Sequence, residues 1–288
     1  MQTTLQPRDL PDALAARAAH PDALPLAGGT DLMVELNFDR RRPDQILDLT
    51  RVAELEAWSR DDGELVIGAG VTHTRLIEEL AGPAPGLAIA ARTIGSPQIR
   101  NRGTLGGNLG TASPAGDAIP PLVAAGARVE VRSPAGSRSV PVEDFCTGPK
   151  RTVLAPDELI AAVRVPVARG PEQFAKVGPR NAMVIAVCSF ALSLDPEART
   201  VGTAIGSAAP TVVRAPEAEA FIHGVLEESG GWERRAPIAD AAMARFGDLV
   251  GAAARPIDDV RGSGAYRRHA LSVLARRTLA WGWQELAA

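Results

Sequence analysis

"RNRGTLGGNLGTASPAGD", from Arg100 to Asp117, decides how the rest of the chain is read. Its eighteen residues include five glycines, two asparagines and three hydroxyl side chains. Such a stretch is not expected to build an ordinary helix or much core, since glycine is costly in a helix and buries no side chain. It does allow close approach. Without a Cβ, and with positive φ accessible, successive N–H groups can converge on one anion such as a diphosphate. Thr104, Asn108, Thr111 and Ser113 would add neutral hydrogen bonds, and Asp117 would accept from sugar-like hydroxyls. A second segment of similar texture, "LAGGTDL" (26–32), brings Thr30 to the same task.

Elements can be placed outward from these loops. Asp9 to Ala19 reads as a short helix with Pro11 in its first turn. A short apolar strand, a glycine turn and a helix from Asp31 follow within "ALPLAGGTDLMVEL". Buried strands are expected at 44–49 and 64–70, a helix capped by Thr72 through Leu80, and an apolar helix over 86–94. Asp117–Ala125 reads as helix, and "ARVEVRS" with "RSVPV" as a hairpin around "PAGS". Beyond "VPVARGPEQ" (165–173) the texture changes. Three strands are expected in "QFAKVG", "VIAVCSFALSLD" and "TVGTAIGSAA", then three helical segments from about Ala215. Strands first and helices afterwards predict an α+β domain, with the boundary near residue 170.

Composition narrows the function. The 288 residues are 45% hydrophobic, enough for roughly two domains with real cores, and the net charge of −3 lacks the basic character of a nucleic-acid binder. The N-terminus shows no basic segment followed by an apolar run, and no stretch is long and apolar enough to span a membrane. Cys146 and Cys188 form no disulfide framework or Cys-x-x-Cys site, and the four histidines are scattered singly, so no metal site is expected. "GAG" at 68–70 begins like a dinucleotide fingerprint, but His73 stands where its last glycine belongs. There is no Walker A loop and no nucleophile elbow.

"PLAGGTDL" together with "TIGSPQIRNRGTLGGNLGTASPAGD" resembles the flavin-binding medium subunit of the molybdenum hydroxylases, the xanthine dehydrogenase and carbon monoxide dehydrogenase family. "FCTGPKRTVLAPDELIAAVRVP" is similar to that family's link into its C-terminal domain, and "DDVRGSGAYRRHALSVLARR" to its C-terminal helix. Within the family the pattern most resembles bacterial xanthine dehydrogenase subunits. The resemblance implies a two-part α+β FAD-binding domain of the vanillyl-alcohol-oxidase (PCMH) type over 1–170, with parts of about 1–58 and 59–170. A smaller α+β C-terminal domain would occupy 171–288. It implies a first diphosphate loop of Leu26, Ala27, Gly28, Gly29, Thr30, Asp31 and Leu32. Thr104, Gly106, Gly107, Asn108 and Thr111 would belong to the second, with Asp117 on the sugar-like portion of FAD. Ile94 and Ile160 would cover the isoalloxazine ring, and Lys176 would stand at the flavin-proximal end.

Many members read Arg-x-x-x-Asp-Ile-Ala after that lysine. This chain has "RNAMVIA", with Val184 in place of the acid, which undercuts an ion-pair role for Arg180. The implied activity is electron transfer. Hydroxylation would occur at a molybdopterin-binding large subunit, with electrons passing through a 2Fe–2S small subunit to FAD and on to NAD. No residue of this chain is then required as a catalytic acid or base. A cytoplasmic heterotrimer in purine catabolism is the corresponding setting. Subunits for carbon monoxide, aldehyde or other N-heterocycle oxidation are the nearest alternatives. A self-sufficient flavin reductase and a cofactor-free assembly subunit stand further off.

Overall fold

The computed structural model describes residues 3–288, so the first two residues of the 1–170 expectation lie outside it. The chain opens with three short parallel strands, β1 (Thr3–Leu5), β2 (Leu24–Leu26) and β3 (Gln45–Asp48), in the order β1-β3-β2. Helices α1 (Leu10–Ala19) and α2 (Leu32–Asn37) make the crossovers that parallel pairing requires, and a single turn, α3 (Ala53–Glu56), follows. Asp9 caps α1 by accepting from the Asp12 amide, with Leu10 and Ala13 on its buried face.

The next part is one antiparallel sheet with helices packed on it. Strands β4 (Trp58–Asp61) and β5 (Glu64–Gly68) lead into α4 (His73–Glu79), α5 (Pro85–Arg92), α6 (Pro97–Arg100), α7 (Leu105–Thr111) and α8 (Ile119–Ala124). The hairpin β6 (Arg128–Ser133) and β7 (Gly136–Pro141) follows, then α9 (Val142–Phe145) and the small pair β8 (Cys146–Gly148) and β9 (Arg151–Thr152). Last comes β10 (Leu159–Pro166), which enters the middle of the order β4-β5-β10-β6-β7. The sequence reading passes over "LIAAVRVP" as part of a link. Its unbroken apolar run has no alternation because Leu159 to Val163 are buried on both faces.

The glycine-rich stretch also differs from expectation, since α7 is helical across Gly106, Gly107 and Gly110. Thr104 caps it, its hydroxyl accepting from the Gly107 amide at 3.0 Å. Glycine is needed at 106 for contact: a Cβ there would lie 2.5 Å from that of Ala69. Packing thus overrides the poor helical propensity.

A three-stranded antiparallel sheet begins the C-terminal part: β11 (Glu172–Val177), β12 (Cys188–Asp195) and β13 (Thr200–Gly206). Its two faces are unlike. Phe190, Leu192, Leu194, Val201 and Ile205 point into a second core formed with α10 (Pro216–Glu228), α12 (Asp240–Ala253) and α13 (Gly264–Ala287); a single turn, α11 (Gly231–Arg234), adds a fourth helix where three were expected. The other face presents Phe174 and small residues, Ala191 and Ala204, to the first core. Gly202 lets α8 lie against that face, for a Cβ there would meet the Ala124 carbonyl oxygen at 2.0 Å. Among the described residues no helix is long and apolar enough to cross a membrane.

Candidate functional site

The two glycine loops meet. A Cβ on Gly28 would stand 1.7 Å from the Arg102 carbonyl oxygen, so the first loop is pressed against the Arg102–Gly103 turn that precedes α7. Gly29 has a φ of 77°, in the region glycine favours, and it turns the chain from β2 into α2. Thr111 reaches back from the end of α7 to the Asp31 carboxylate at 3.5 Å. The loops bound a cleft of about 990 Å³, at the upper end of the range for ligand pockets.

The amides of the two loops are used differently. Those of Gly28, Gly29, Thr30 and Asp31 donate to no acceptor among the described residues. Four consecutive free donors at the start of α2 suit an anion. In the second loop, Leu105 and Gly106 donate to the carbonyls of Val71 and Ala69 at 3.0 and 2.8 Å, and Gly107 to the Thr104 hydroxyl. There only the Thr104 amide is left without an acceptor among the described residues; the glycine amides are taken by protein, and that loop buttresses the first and offers side chains. The buried Asn108 Oδ1 has no partner, and Asn108 lines the cleft.

Asp117 and Lys176, assigned separate tasks from the sequence, form one buried ion pair, with Nζ 2.6 Å from Oδ2. Lys176 also donates to the carbonyls of Thr93 (2.9 Å) and Val184 (3.2 Å), which engages all three of its N–H bonds. Lys176 does not line the cleft, and neither does Leu26, which ends β2. Of the pair only Asp117 lines the cleft, and its Oδ1 is buried and unpartnered. Burial pushes the Asp117 carboxyl above its ordinary range, against the opposing pull of the Lys176 ammonium. Arg180, without the acid that Val184 replaces, bonds the carbonyls of Ala182 and Met183 in its own loop.

Ile94 and Ile160 both line the cleft. Ile160 sits at a register shift in β10, between its pairing with Val131 and that of Ala162 with Glu130, and such a bulge re-aims a side chain. Ile94 follows α5, and Arg100 donates to the carbonyls of Ile94 and Gly95 at 3.1 Å each. Arg100 thus supports the cleft wall through backbone.

His73, one of four histidines expected to be surface or packed residues, is of the packed kind and lines the cleft. It is 3% exposed and stands beneath the Arg102–Gly103 turn, its backbone N–H donating to the Gly103 carbonyl at 3.0 Å. Burial, aided by the nearby Arg100 charge, lowers its pKa to about 4, so the ring is neutral. Its one sequence signal was the position just inside the Thr72 cap. Lys150, which lines the cleft and pairs with Glu35 on α2, carried no signal, because its place depends on contact across 115 residues. Burial raises both cysteine thiols to about 11, which keeps them protonated.

The donor set fits a dinucleotide-sized anion: free main-chain amides at one loop, neutral polar side chains along α7, and apolar walls at Ile94 and Ile160. Comparison with known proteins points the same way. Residues 1–168 match a family profile described as the FAD binding domain in molybdopterin dehydrogenase, and residues 173–281 match the CO dehydrogenase flavoprotein C-terminal domain. The xanthine dehydrogenase FAD-binding subunit of Escherichia coli O157:H7 is 37% identical over 220 residues, covering 73% of this chain and 75% of that one. The nicotine 6-hydroxylase medium subunit of Paenarthrobacter nicotinovorans is 31% identical over 280 residues, covering 95% and 94%. The structure of quinoline 2-oxidoreductase from Pseudomonas putida 86 superposes with a TM-score of 0.90 at 26% identity, covering 100% of this chain and 99% of that one. With its cleft, its paired glycine loops and both family profiles in register, the chain belongs to the FAD-binding subunits of the molybdenum hydroxylase family.

Proposed function

We propose that this chain is the electron-transfer medium subunit of a cytoplasmic molybdenum hydroxylase of the xanthine dehydrogenase type, serving purine catabolism. The division of labour follows from chemistry. Two cysteines are fewer than the four thiolates a 2Fe–2S cluster takes, so a small subunit carries the clusters and a molybdopterin-binding large subunit the substrate. When bound, FAD supplies the exchange between one-electron iron–sulfur donors and a two-electron acceptor, here NAD. The chain's own residues bind and orient. The FAD-binding domain spans 1–170 and the C-terminal domain 171–288.

The observation that carries the reading is the row of four free amides, Gly28 to Asp31, held open by contact with Arg102. They would take the diphosphate, with Thr30, Thr104 and Thr111 beside them. Asn108 and Asp117 would meet the ribityl or ribose hydroxyls, and Ile94 and Ile160 would flank the ring. The xanthine assignment is supported by the 37% identity to the E. coli subunit. A second reading, oxidation of another N-heterocycle, is favoured by the nicotine 6-hydroxylase subunit, whose likeness extends over more of the chain.

Purified chain should be yellow, and the chromophore released from it should run as FAD. A colourless chain that takes up no added FAD would remove the cofactor site. Copurified with its partners, the complex should reduce NAD with xanthine or hypoxanthine. Turnover with pyridine or quinoline substrates and none with purines would select the second reading.

A further inference from the structure

Helix α5 leads to the ring end of the cleft, and both its ends are held from outside. At its start Ala84 provides no side-chain cap and Pro85 has no N–H. The Gly86 amide instead donates to Glu172 Oε2 at 3.0 Å, 86 residues away on β11. At its end the Thr93 carbonyl accepts from Lys176 at 2.9 Å, also on β11, and the next two carbonyls accept from Arg100. The Glu172 oxygen satisfies a first-turn donor, and the cations at the C-terminus complement the helix dipole.

The spacing of the two β11 residues suits the helix. Glu172 and Lys176 lie on one face of the strand, roughly 13 Å apart, and α5 rises roughly 11 Å from Gly86 to Thr93. Phe174, between them, packs into the first core. Gly86 is small because two elements press on it: a Cβ there would stand 2.9 Å from the Glu172 Cβ and 3.6 Å from that of Pro121.

We infer that β11 brackets α5, with Glu172 as a positioning residue that caps its first turn and thereby sets Ile94 and Gly95 at the ring end of the cleft. The C-terminal domain thus reaches the cofactor through the ends of one helix. This rests on reading the cleft as the FAD site. Glu172 faces the Gly86 amide from α5, the Ser193 hydroxyl from β12 and Pro121 from α8, with no cation paired to it among the described residues. Burial pushes its carboxyl up to about 7, so it ionises near neutral pH. Ionisation is then penalised in the docked state, and the bracket loosens as pH rises from about 4.5 to about 7 and no further above it.

Hydrogen exchange of the full chain, with and without FAD, tests this on Glu172→Ala and Glu172→Gln. Glu172→Ala should speed exchange across α5 by about tenfold or more while α4 is unchanged, and should alter the visible circular dichroism of bound FAD. Glu172→Gln, whose amide oxygen still accepts from Gly86, should restore both. Wild-type rates in Glu172→Ala, or equal disturbance in both variants, would overturn the bracket. If Glu172→Ala does not fold, Glu172→Gln decides alone. Wild-type α5 should lose protection between about pH 4.5 and about pH 7 and level off above it, corrected for intrinsic rates, and Glu172→Gln should not. The same slope in both would overturn the inference. The FAD-free arm separates this outcome from failure of the cofactor reading.

Discussion

The turn at Gly28–Gly29 and the pair Gly106–Gly107 look alike in sequence, yet the protein uses them in opposite ways. Around Gly28 the backbone amides are left without acceptors and the missing Cβ makes room for another backbone. Around Gly106 the amides are all taken, by Val71, Ala69 and Thr104, and the missing Cβ makes room for Ala69. On the proposed function, the first loop is the binding surface and the second is the scaffold behind it. A glycine pair therefore announces close approach, and only its neighbours decide whether ligand or protein does the approaching.

The contrast can be broken by substitution. Gly28→Ala should act on binding most strongly, because its Cβ would collide with a main-chain oxygen and separate the loops. FAD affinity, followed by fluorescence titration, is expected to fall about 100-fold or more, about 3 kcal/mol. A variant that binds FAD normally would mean that the first loop is not the cradle.

Acid should act on the scaffold instead. His73 titrates at about 4 in the folded chain against 6.5 in the unfolded one. The unfolded state thus takes up a proton first, and stability falls as pH drops from 6.5 through about 4. The loss from this residue is about 3 kcal/mol at most. Denaturant titrations should show it, and His73→Phe should flatten that part of the profile.

Gly106→Ala should cost about 2 kcal/mol in stability through overpacking on Ala69, with FAD affinity in the folded fraction falling less than in Gly28→Ala. The reverse ranking would exchange the roles assigned to the loops. Thr104→Ala should be mildest, near 1 kcal/mol for a lost helix cap, read from the thermal midpoint.

Much was legible without the structure. The α1 helix, the Thr72-capped helix, the β6–β7 hairpin and the C-terminal strands all follow local pattern, because period and capping act over a few residues. The two loops were legible as a site because glycine and hydroxyl residues cluster there. Elements that tertiary contact overrides were not. The α7 helix forms against its propensity on the support of Ala69 and Val71, and β10 lacked alternation because both of its faces are covered. His73 was unreadable for a related reason, since nothing near it in sequence shows the turn it supports.

By itself, the sequence determined that two small-residue loops would allow close backbone approach and that strands followed by helices would close the chain, because side-chain volume, turn chemistry and periodicity are local properties. Tertiary structure alone decided which amides stay free, that Asp117 would be paired with Lys176, and that Glu172 would cap a helix 86 residues away. Those outcomes depend on which groups burial brings within hydrogen-bond distance. A buried donor or acceptor takes the partner that packing supplies, however far apart the two lie along the chain.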